Sequence, residues 1–120
     1  MTVDDINALC AAFPGAALSY PWRDLGKGDG PGAWKVGGKM FACLEGKGNG
    51  ICVKTRDLET AQMLIEVGVA IKAPYFHRSW VLLPFETGAD EIKFRLEKSY
   101  ALIRSKLTKK VQAALPSYSP

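Results

Sequence analysis

Two adjacent glycines constrain this chain more than any other feature. Gly37 and Gly38 stand between Ala33-Trp34-Lys35-Val36 and Lys39-Met40-Phe41-Ala42-Cys43-Leu44. A two-residue connection between apolar-rich runs needs positive φ at both central positions, which glycine adopts without steric cost, and it returns the chain as a tight hairpin. The pair therefore predicts antiparallel pairing. A regular register sets Val36 opposite Lys39 and Trp34 opposite Phe41, with both aromatic rings on one face of the sheet.

Other elements follow from caps and periodicity. Thr2 and Asp5 have capping-box spacing, and Ile6, Leu9, Cys10 and Phe13 form the apolar face of a first helix that Pro14-Gly15 ends. Ala17 to Trp22 reads as a short strand, and the glycine-rich stretch from Gly26 to Gly32 as a loop. A second turn, Gly46 to Gly50, leads into the strand Ile51-Cys52-Val53-Lys54. Asp57 caps a second helix carrying Leu58, Ala61, Leu64 and Ile65 on its apolar face, with Gly68 at its end. Val69-Ala70-Ile71 reads as a short strand and Trp80-Val81-Leu82-Leu83 as a buried one. Burial of Trp34, Phe41 and Trp80 in the core is expected. Ile92, Leu96, Tyr100, Ile103 and Leu107 give one last helix a continuous apolar stripe, starting near Ala89 or Asp90. Hairpins mixed with helices point to an α+β fold with an antiparallel sheet. Residues 1–115 fit one domain, and 116–120, Pro-Ser-Tyr-Ser-Pro, read as a short flexible tail.

The chain has a net charge of +4, and from Ile92 to Lys110 seven basic residues stand against the single acid Glu97. Arg95, Lys98, Lys106 and Lys109 fall opposite the apolar stripe, forming a basic face suited to a polyanion. No apolar run is long enough to span a bilayer. The acidic N-terminus lacks the regions of a signal peptide, which predicts a cytoplasmic protein. Three well-separated cysteines, Cys10, Cys43 and Cys52, are expected to be reduced core thiols.

Catalytic chemistry finds little support. Gly26-Lys27-Gly28-Asp29-Gly30 and Gly46-Lys47-Gly48-Asn49-Gly50 precede strands, so they are turns, not phosphate-cradling loops that open a helix. The one histidine, His77, has no metal-ligand spacing to another donor and no evident nucleophile to serve. Neither an enzyme nor a bound metal or cofactor is expected. Basic residues interleaved with aromatics recur in the hairpin (Lys35, Lys39) and in Tyr75-Phe76-His77-Arg78. Together with the helix cations they form the candidate nucleic-acid contacts: Lys35, Lys39, His77, Arg78, Arg95, Lys98, Lys106 and Lys109.

The fragments Trp34-Lys35-Val36-Gly37-Gly38-Lys39-Met40-Phe41-Ala42, Ser79-Trp80-Val81 and Ser99-Tyr100-Ala101-Leu102, in this order, resemble the MmcQ/YjbR family of small bacterial proteins. The resemblance runs from Phe13-Pro14-Gly15 to Leu107. It implies a two-layer sandwich similar to the frataxin/CyaY fold, with helices on one face of an antiparallel sheet, and a DNA-binding role. The iron-binding acidic ridge of frataxin-like folds does not carry over, because the first helix offers only Asp4 and Asp5. The expected function is weak, phosphate-directed DNA binding by a monomer or weak homodimer. The alternatives are an interaction module for an acidic protein partner and a small-molecule pocket between sheet and helices.

Overall fold

A computed structural model of the chain describes residues 1–23, 26 and 30–119. Among them the order is α1 (Val3–Ala11), β1 (Ala17–Ser19), β2 (Ala33–Val36), β3 (Lys39–Leu44), β4 (Gly50–Lys54), α2 (Leu58–Glu66), β5 (Ile71–Lys72), β6 (Trp80–Pro84), a 3₁₀ turn (Phe85–Thr87), α3 (Ala89–Ser105) and α4 (Lys109–Ala114). The strands form one antiparallel sheet in the order β1-β2-β3-β4-β6-β5. This is the expected α+β arrangement. The loop expected between Gly26 and Gly32 lies partly outside the described residues.

The caps act as their chemistry requires. The Thr2 hydroxyl accepts from the Asp5 amide at 3.2 Å while the Asp5 carboxylate accepts from the Thr2 amide at 2.9 Å. Asp57 accepts from the Thr60 amide at 2.7 Å, and this bond holds its carboxyl below the usual carboxylate range.

The main core lies between the helices and one sheet face. It joins Ile6 and Cys10 of α1, Val36, Phe41 and Val53 of the sheet, Ala61 and Leu64 of α2, and Ile92, Leu96 and Tyr100 of α3. Consecutive strand residues point to opposite faces, so Val81 and Leu83 enter this core while Leu82 joins a smaller cluster on the far face. Trp80 goes with Leu82. Its ring is only half-buried and stacks on Phe76 at 4.8 Å between centroids, which corrects the expectation that it would be a core residue.

The hairpin has the expected turn, with φ of 57° at Gly37 and 81° at Gly38 and Val36 opposite Lys39. Its register then shifts: Lys35 pairs with Met40 and Trp34 with Ala42, leaving Phe41 as the extra residue of a bulge. Trp34 is therefore not opposite Phe41. Both rings still reach the main core, and the Trp34 indole N–H donates to Asn7 Oδ1 at 2.9 Å.

The bulge explains why a serine precedes Tyr100. The regular β3–β4 pairing begins at Ala42 and Val53, so the Phe41 carbonyl and the Lys54 amide fall outside it. The buried Ser99 hydroxyl donates to the Phe41 carbonyl at 2.6 Å and accepts from the Lys54 amide at 3.0 Å. Ser99→Ala should strand both groups in a dry site. A loss of about 2–6 kcal/mol is expected, from about 1–3 kcal/mol for each of the two unsatisfied groups. Urea denaturation measures it, and a loss under about 0.5 kcal/mol would mean that water replaces the hydroxyl.

Two further expectations change. The last helix stops at Ser105, where Lys106 caps it, and Thr108 starts α4 with its hydroxyl accepting from the Val111 amide at 3.2 Å. The apolar stripe therefore does not run through one continuous helix, and Lys109 belongs to α4. Nor is the terminal segment a free tail. Arg104 Nη2 donates to the Pro116 carbonyl at 2.6 Å, and the Tyr118 ring packs edge-on against Tyr100 at 4.7 Å.

Candidate nucleic-acid interface

Cations converge where β4 leaves the sheet. Lys54 ends the strand, and Thr55 and Arg56 follow before the Asp57 cap. This corner is held on both sides. The Thr55 amide and hydroxyl both donate to the Ser79 carbonyl, at 2.8 and 2.6 Å, and Ser99 holds the Lys54 amide. Across from it runs α3, whose Phe94, Arg95 and Lys98 form the facing wall. The space between is a cleft of about 460 Å³, completed by Thr60, Met63 and Leu102.

The charges in this cleft are unevenly compensated. Arg95 meets Glu91 at 3.3 Å and Arg56 meets Asp57 at 3.0 Å. Among the described residues neither Lys54 nor Lys98 has a carboxylate partner. The Lys54 ammonium donates instead to the Ser79 hydroxyl. Its pKa lies below the ordinary lysine value, mainly because burial disfavours the charge and also because Lys106 repels it. Beside these cations the Phe94 ring is 42% exposed, with Arg95 at 4.9 Å and Lys98 at 5.3 Å from its centre.

The cleft gathers some of the residues proposed from sequence and leaves others apart. Arg95 and Lys98 line it, and Lys106 bears on Lys54 from the end of α3. His77 connects indirectly: its Nδ1 lies 2.8 Å from the Ser79 hydroxyl that receives Lys54, and it accepts from the Ser79 amide at 3.1 Å. Lys35 sits in β2 across from Met40, Lys39 is exposed beside the hairpin turn, and Lys109 opens α4. Arg78 lines a separate groove with Trp80 and Lys72. Lys54, Arg56 and Phe94 were missed. Phe94 had a readable signal, since it lies off the Ile92–Leu96–Tyr100 stripe and between basic residues.

Burial pushes the Cys10 and Cys52 thiols up to about 12 and Cys43 to about 11, so none is a thiolate near neutral pH. Among the described residues no group of three or more His, Cys, Asp or Glu could hold a metal ion, and no helix is long and apolar enough to cross a membrane.

Comparison with known proteins agrees with this architecture. The YjbR family model matches residues 11–102, and the chain belongs to that family. Among solved structures it is similar to the crystal structure of the Deinococcus radiodurans protein DR2400, which carries a DUF419 domain. The TM-score is 0.79 at 22% identity, over 94% of this chain and 86% of that one. No curated protein matches the sequence. At that identity the structural likeness speaks for the fold alone.

Proposed function

We propose that this protein is a non-enzymatic nucleic-acid-binding module that takes the phosphate backbone into the cleft between β4 and α3. The observation that carries the reading is the surplus of cations there: among the described residues Lys54 and Lys98 have no carboxylate, and Lys54 is both partly desolvated and crowded by Lys106. A phosphate between them would supply the missing anion and relieve that repulsion. Arg56 and Arg95 flank the same space, and Arg56 can exchange its carboxylate for a phosphate, since an exposed ion pair such as Arg56–Asp57 is weak. The exposed Phe94 ring offers a face for an unpaired base beside the backbone contacts.

Binding of this kind is sequence-independent, with Kd on the order of 10⁻⁴–10⁻⁶ M at physiological salt. Fluorescence anisotropy with labelled duplex and single-stranded oligonucleotides, stepped in salt, tests it. Lys54→Gln combined with Lys98→Gln should weaken all sequences alike and reduce the slope of log K against log salt by about 2. An undiminished slope would remove the cleft from the interface. No binding by the parent at about 50 mM salt would sink the nucleic-acid reading.

A further inference from the structure

The sheet face without helices carries a second site of different chemistry. There the smaller core cluster of Ala33, Cys43, Cys52, Ala73 and Leu82 is covered from the loops by Trp22 and Phe76, with Met40 and Trp80 of the strands beside them. Between those loops lies a cleft of about 780 Å³, in the size range of pockets for small organic ligands. Cys43 and Cys52 face it from directly opposite positions of β3 and β4, and Met40 lies alongside, so its floor is soft and apolar. Its walls are Trp22, Pro31, Leu44, Pro74 and Phe76.

Two features at the rim define the occupant. Tyr75 also lines the cleft, yet it is 100% exposed and is the only non-glycine residue with positive φ, 70°, among those described. A left-handed backbone at a bulky residue is costly, and such strain clusters at ligand-binding positions. A fully solvated aromatic ring at the edge of an apolar cleft gains burial only if something fills that cleft. The second feature is charge. Glu45 is already engaged, accepting from the Lys47 amide at 2.6 Å and the Asn49 amide at 3.3 Å. The Lys47 ammonium has no carboxylate partner among the described residues, so it is the charged group at the rim left to meet a ligand.

We propose that this cleft binds a small, planar, largely apolar molecule bearing a single anionic group. The ring system would lie on the Cys43–Cys52 floor between Trp22 and Phe76, Tyr75 would close against it, and Lys47 would meet the anion. This site is separate from the basic cleft, and the inference does not depend on nucleic-acid binding.

Two aromatic probes of nearly equal shape test it. They are 1-anilinonaphthalene-8-sulfonate, an anion, and N-phenyl-1-naphthylamine, its neutral counterpart. Titration of the full chain should give saturable fluorescence with both, and amide chemical-shift changes should centre on Cys43, Cys52 and Phe76. Lys47→Gln should weaken the sulfonate roughly threefold, the scale of an exposed charge pair, and leave the neutral probe unchanged. Tyr75→Ala should weaken both by roughly three- to tenfold, and because its ring has no packing partner the fold should be unaffected. Excess oligonucleotide should not displace either probe. Shifts centred on Phe94 and Met63, or the absence of saturable binding by either probe, would overturn the proposal. If Lys47→Gln weakens the two probes equally, the assignment of the anion to Lys47 falls.

Discussion

Replacing Tyr100 with alanine should remove about 3–5 kcal/mol of stability, the usual scale for emptying a buried aromatic site. Few positions in the chain join as many parts of the fold. The ring is fully buried, stacks on Phe13 at 4.6 Å, and meets Phe41 edge-on at 5.3 Å and Tyr118 at 4.7 Å. Its hydroxyl donates to the Pro14 carbonyl and accepts from Arg104 Nη1 at 2.8 Å. Alanine therefore leaves a cavity and releases α1's exit, the β3 bulge and the terminal segment together. Typical domains are stable by only about 5–15 kcal/mol, so the loss is a large fraction of the total. Tyr100→Phe separates the two contributions. It keeps the ring and removes the hydroxyl, at a cost of about 0.5–1.5 kcal/mol. Urea denaturation of both variants measures the split. If Tyr100→Ala cost no more than Tyr100→Phe, packing would not be what holds this junction.

The same residues show which parts of the fold could be read directly from the chain. Caps and turns could, because each is a local constraint. Thr2 with Asp5, Asp57 with Thr60, and Gly37-Gly38 each satisfy backbone groups within a few residues of themselves. The bulge at Phe41 could not. It places two residues against one, and neither strand contains a residue that demands it. Once present, it created a need for Ser99, which lies 58 residues away and otherwise resembles an ordinary helix serine. The end of α3 was misread for a different reason. Leu107 continues the apolar spacing, but it does so from the connection between helices, and Thr108 resets the chain as the cap of α4.

The candidate interface divides along the same line. Arg95 and Lys98 were visible because one helical face is written in the local sequence. Lys54 and Arg56 were not, since they face α3 only through β4's position in the sheet and the hydrogen bonds from Thr55 to Ser79. Expecting one cationic row along a single helix was reasonable from periodicity. The actual grouping spans a strand end and a helix, and an isolated positive corner is converted into a two-walled cleft. The rigidity of that corner matters for affinity. Lys54 is held by Ser99 through its backbone and by Ser79 through its side chain, so less ordering is needed when an anion arrives.

Gly37→Val should be the most damaging substitution on the surface of the molecule. Gly37 has φ of 57°, where a β-branched residue is strained, at about 1–3 kcal/mol. It is also covered. A Cβ there would lie 2.5 Å from Leu107 Cδ1 and 2.9 Å from Val111 Cγ1, which belong to the α3–α4 connection and to α4. Overpacking adds about 1–3 kcal/mol, for a combined loss of about 2–6 kcal/mol. Gly38 provides the control. Its φ of 81° carries the same strain, but nothing lies within 4 Å of its would-be Cβ. Gly38→Val should therefore cost only the backbone contribution, about 1–3 kcal/mol, and Gly38→Asn still less, because asparagine tolerates the left-handed region. The difference between the two valine variants, read from urea midpoints at constant slope, isolates the seating of α4 on the hairpin. Equal losses would place α4 away from the turn. A larger loss at Gly37 would make the short last helix a clasp on the hairpin, with Leu107 and Val111, on either side of the Thr108 cap, closing over the same glycine.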